Sequence, residues 1–225
     1  MEKAATKLIN PRNCQKLTGY SWENLLSLTG IFGFHEKSEV LNGSVFKYLR
    51  CEYMNEIVHV DIETDLVQEL YVTIHLNSSK IIFNNRVFST NKLKGLSLLK
   101  IISQVQAAHR LGFQYICLTA AGNPQTWPEL CGYFVWGKYG YLMANHGEKI
   151  RFRRLMNSKS RQNKILYDLL SDKPKGEDLW KNEGFEWSGI FIITSDKNNK
   201  SESTSLKILK EVSVQKGLTI NVQSS

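Results

Sequence analysis

Three groups of residues carry the chemical content of this sequence. The first is the run Lys92-Leu93-Lys94-Gly95-Leu96-Ser97, which separates a β-rich stretch from an amphipathic helix. A strand-to-helix junction aims unpaired backbone N–H groups at one spot, and the helix dipole adds positive potential. Glycine lets the backbone approach a ligand closely, and two lysines add charge, so the run has the properties of a pyrophosphate site. The plainer reading is an ordinary turn with exposed lysines. The second group lies in 56–64. With a period of two, His59, Asp61 and Glu63 share one strand face, while Val58, Val60 and Ile62 share the other. An acidic face can bind a cationic amine and accept its proton; it can equally be the wet side of a half-exposed strand. Glu69, on the next strand, is held in reserve. The third group, Gly132 to Tyr141, formally reads Gly-x4-Gly-Lys. Tyr139 stands where a phosphate loop needs Ser or Thr, and the interior is aromatic, so a core-packing helix ending at Gly140 fits better.

Other chemistries find little support. The five histidines are scattered, and no His/Cys pair has zinc-site spacing, so no metal is expected. Cys117 falls in the middle of a strand, where a small buried thiol is commoner than a nucleophile.

The elements that must position these groups follow from periodicity. Segments 45–50, 56–64, 70–76 and 80–89 are rich in Val, Ile and Tyr and predict an antiparallel meander. Leu98, Ile101, Ile102, Val105 and Ala108 then fall on one helical face, and Gly112 suits a left-handed cap. A strand is predicted over 114–120, a helix opened by Pro128 and closed at Gly140, and a strand from Tyr141. Beyond that, 149–170 predicts a helix, 171–176 a polar linker, 185–194 a strand and 206–215 a last helix. The fold class is therefore α/β (α+β), with a mixed, mostly antiparallel sheet flanked by helices.

The 225 residues, 42% hydrophobic and 22% charged, suit a globular fold. No apolar run reaches the roughly 20 residues of a membrane span, and the first residues do not resemble a signal peptide. Four cysteines without CxxC spacing point to free thiols and a cytoplasmic setting. The net charge of +8 is unevenly placed. Over 149–164 there are Lys149, Arg151, Arg153, Arg154, Lys159, Arg161 and Lys164 and no acid, a pattern that attracts nucleic acid or another polyanion. Over 52–69 there are six acids and no Lys or Arg. Both can also be ordinary solvated surfaces.

The order of these features resembles the GCN5-related N-acetyltransferases (GNAT superfamily). Lys92-x-x-Gly95-x-Ser97 is similar to that family's pyrophosphate loop, with Lys92 where Arg or Gln is usual. Trp136-Gly137-Lys138-Tyr139-Gly140-Tyr141 is similar to its later Tyr-x-Lys-x-Gly-Phe element. The resemblance covers about 40–145 and implies a GNAT-like domain over 1–145, with a C-terminal extension over 146–225. It implies acetyl-CoA as donor, with no metal, and an acyl group passing to a small-molecule or peptide amine. The pyrophosphate would rest on Lys92, Lys94, Gly95, Leu96 and Ser97. The pantetheine arm would run beside Phe88 and Ser89, with Asn123 bonding to it. Glu63 and Asp61 are the candidate general bases, Glu63 ahead because its side chain is longer. Trp136 stands at the family's acid tyrosine, which leaves Tyr133, one turn earlier, as the candidate acid, or a reaction needing none. The other expectation is a degenerate, non-catalytic member that binds nucleic acid or an acidic partner through 149–164.

Overall fold

The computed structural model describes residues 6–31, 46–64, 67–89, 97–128, 131–193, 202–220 and 222, with backbone alone at 46, 67 and 86–89. The chain divides into two compact units, Met1–Ile116 with Ile220–Ser225, and Cys117–Thr219. The boundary expected at 145/146 lies inside the second.

In the first unit, strands β1 (Lys7–Leu8), β2 (Phe46–Met54), β3 (Ile57–Thr64), β4 (Val67–His75) and β5 (Ile81–Ser89) pair in sequence order, each antiparallel to the next. Hairpin geometry explains the β2–β3 turn. Asn55 and Glu56 both take left-handed φ, 52° and 61°, as a two-residue type I′ turn requires. From there the pleat sorts the side chains. Val58, Val60 and Ile62 of β3 and Leu70, Val72 and Ile74 of β4 are fully buried, and the residues between them are half-exposed. Helices α1 (Cys14–Thr18), α2 (Trp22–Ser27) and α3 (Ser97–Arg110) complete the unit. Residues 98–108 of α3 are buried all round. One polar pair locks it in place. Gln104 and Asn84 of β5 exchange two amide hydrogen bonds of 2.9 Å, and Gln104 also donates to the Leu28 carbonyl at 2.8 Å. Every polar atom of the Gln104 side chain is thus engaged, the condition for tolerating an amide in a core.

The second unit holds β6 (Tyr115–Ala120, whose first two residues belong to the first unit), β7 (Leu142–Met143) and β8 (Trp187–Ile192), in the order β6-β8-β7, with β7 antiparallel to β8. Its helices are α4 (Gly132–Lys138), α5 (His146–Ser158), α6 (Leu166–Ser171), α7 (Lys175–Glu183) and α8 (Thr204–Gln215). The protein is a mixed α/β fold with mostly antiparallel strands, as predicted. The single helix expected over 149–170 is instead two. Ser160 adopts φ 53°, and the Arg161 N–H turns back to the Met156 carbonyl at 2.9 Å, which ends α5. Asp168 then accepts from the Ile165 N–H at 3.3 Å and starts α6. Helix α7 overruns the expected linker; its acidic first turn, Glu177 and Asp178, was the available signal.

Packing in this unit is close. A Cβ on Gly176 would stand 1.8 Å from the Leu169 carbonyl oxygen, so α6 and α7 meet there only without a side chain. Gly176→Ala is expected to cost about 1–3 kcal/mol or more by overpacking. It should lower the urea midpoint with little change in denaturant slope; an unchanged midpoint would show that Leu169 moves aside freely. Among the described residues no helix is long and apolar enough to cross a membrane.

Candidate functional site

The candidates divide between the two units. Asp61 and Glu63 lie in the first, on the half-exposed face of β3, together with His59 as the alternation predicted. The neighbouring strands fix their surroundings. Asp61 is in register with Arg50 of β2 and Tyr71 of β4. Cross-strand partners project from the same face, so a carboxylate, a guanidinium and a phenol sit side by side.

The carboxylates are differently occupied. Glu63 accepts from the Lys47 ammonium at 3.2 Å, in an exposed pair. Arg50 turns to Glu52 instead of Asp61. Asp61 itself has no hydrogen bond or ion pair among the described residues. His59 is anchored: the Tyr71 hydroxyl meets its Nδ1 at 2.9 Å and the Thr73 hydroxyl at 3.2 Å, with the Tyr71 ring stacked at 5.9 Å and 3°. The face therefore offers one unengaged carboxylate beside a positioned imidazole. Sequence spacing found these residues; the ion pair from Lys47 of β2 separates Glu63 from Asp61.

Of the expected cofactor residues, Lys92, Lys94, Gly95 and Leu96 lie outside the described residues. Ser97 is the first residue of α3 and is half-buried. The backbones of Phe88 and Ser89 lie in β5, opposite Glu69 and Val67 of β4.

In the second unit, the Asn123 side chain accepts from the Gln125 and Thr126 N–H groups at 2.9 and 3.2 Å, and Thr126 Oγ1 accepts from the Asn123 N–H. This reciprocal cap uses its carboxamide oxygen, and Asn123 lines a cleft of about 430 Å³. Arg151 lines the same cleft, with its guanidinium 4.0 Å from the Phe185 ring centre. Tyr133 is fully buried, and its hydroxyl donates to the Lys181 carbonyl at 2.9 Å. Burial pushes its phenol above the ordinary value. Its carbonyl accepts two buried indoles, Trp180 at 2.9 Å and Trp187 at 2.8 Å. Tyr133 thereby binds α4 to α7 and β8. Nothing in the local sequence announces this, because the three partners are 47 to 54 residues apart.

The cysteines are poor nucleophiles. Burial pushes the Cys117 thiol up to about 11 and the Cys51 thiol to about 12, so neither is a thiolate near neutral pH. No protein-family model matches the chain, and no curated protein matches it either.

Proposed function

We propose that the protein transfers an acyl group from a coenzyme A thioester to an amine. The observation that carries the reading is the succession of elements. An antiparallel meander ends in β5, the 14-residue α3 begins at Ser97, and β6 follows. The Lys92–Ser97 run stands between β5 and α3, where N-terminal amides and the dipole favour a diphosphate.

The chemistry needs an amine stripped of one proton. The nitrogen then attacks the thioester carbonyl, a C–N bond forms, the C–S bond breaks, and the sulfur leaves as coenzyme A thiolate, which takes up the second proton that the nitrogen sheds on becoming an amide. The acidic face of β3 supports the first step. Asp61 is the favoured base because its carboxylate is unengaged, whereas Glu63 is held by Lys47. The anchored His59 is a second polar contact for the amine. Tyr133 is left out of the mechanism, since its hydroxyl is held by a main-chain carbonyl.

Calorimetry with acetyl-CoA tests the reading. Saturable binding is expected, and Gly95→Trp should weaken it by about tenfold or more by obstructing the close backbone approach. Asp61→Asn should leave that binding intact and slow acyl transfer. Absence of heat at millimolar coenzyme A would discard the proposal.

A further inference from the structure

Independently of acyl transfer, we infer that α5 is a docking surface for the phosphate backbone of duplex DNA. The structure sorts the basic segment into spent and unspent charges. Lys159 pairs with Glu183 at 2.5 Å, and Arg161 with Asp172 at 2.6 Å. Lys149, Arg151, Arg153 and Arg154 are all exposed and have no acid partner among the described residues. The sole acid of the helix, Glu148, is turned to β8, where it accepts from the Ser188 N–H and hydroxyl at 2.9–3.0 Å.

Helix stability does not account for these cations. They lie in the N-terminal two-thirds of α5, and none is in its last turn, where the dipole would favour them. Lys149 and Arg153 repel one another at i,i+4 spacing. A polyanion would relieve both costs.

The chemistry of the face selects the partner. Three of the four cations are arginines, whose planar fork suits phosphate oxygens. Phe152, the aromatic of this stretch, is 2% exposed and cannot stack on bases, so a single strand gains little here. Phe152 and Met156 turn inward, and Ile150 and Leu155 are only half-exposed, so α5 offers a lipid surface no fully exposed apolar side chain. Lys149, Arg153 and Arg154 fall within about 140° of the helix circumference and about 7.5 Å of its axis, over which B-form DNA presents about four charges, while Arg151 lies about 200° from Lys149 and rests against Phe185.

Fluorescence anisotropy of the full chain with a 20-base-pair DNA duplex tests this. Three phosphate contacts predict a log–log salt slope of about −2.7, roughly a 40-fold loss of affinity from 50 to 200 mM salt. Arg153→Glu with Arg154→Glu should weaken binding by at least about tenfold without moving the thermal midpoint, while the double Lys variant stays within about threefold. A flat salt response, parental affinity in the double Glu variant, or tighter binding to a single strand of the same length would overturn the inference. Equal competition by polyglutamate of matched charge would also overturn it, in favour of an acidic polypeptide.

Discussion

Trp180→Ala is expected to lower the stability of the second unit by about 3–5 kcal/mol, the range for emptying a buried aromatic site. Trp180 is fully buried, meets Phe152 and Phe185 edge-on at 5.8 and 5.1 Å, and donates to the Tyr133 carbonyl. The substitution removes the ring contacts and one of two donors on that carbonyl. Domains hold only about 5–15 kcal/mol in reserve, so the loss should be evident in the urea midpoint followed by circular dichroism. Trp180→Phe separates the two contributions. It keeps an aromatic ring, and Trp187 still satisfies the carbonyl, so its cost should be clearly smaller. Equal losses in both variants would show that the hydrogen bond, and not the ring packing, carries the stability.

The opposite sign is expected at Lys100. Its side chain is 2% exposed, and its Nζ has no hydrogen-bond partner. Burial brings the ammonium from its ordinary 10.5 down to about 8. A charged, unpaired group is therefore carried inside α3 at neutral pH, and Lys100→Met should stabilise the first unit there by roughly 3 kcal/mol. The sign of the pH dependence follows from proton counting. Between about 8 and 10.5 the unfolded chain holds more protons at this position than the folded one. Parental stability should consequently rise with pH across that window, and the penalty is complete below it. The gap between parent and variant should be widest at pH 7 and close by about pH 10.5. A variant less stable at pH 7, or a gap independent of pH, would show that Lys100 is stabilised by its surroundings.

These cases also show how much was legible in the chain. The alternation 58–63 placed His59, Asp61 and Glu63 on one face because the pleat is a two-residue repeat that needs no distant information. The apolar spacing 98–108 likewise gave α3. Spacing was least informative where a helix is buried on every side. Lys100, Ser103 and Gln104 sit on the less apolar face of α3, which sequence assigns to solvent, yet all three are buried. The continuous helix over 149–170 failed for a different reason. No Gly or Pro interrupts it, and a serine with positive φ makes the break.

Fold class, the carboxylate face and the clustering of positive charge can be read along the chain, since periodicity and composition are local or summed properties. Which side chains remain available depends on contacts made by folding. Lys47 occupies Glu63, Glu183 and Asp172 neutralise Lys159 and Arg161, and the main-chain carbonyl of Lys181 takes the Tyr133 hydroxyl out of play. Each of those pairings joins residues 11 to 48 positions apart, at distances of about 3 Å that only folding creates.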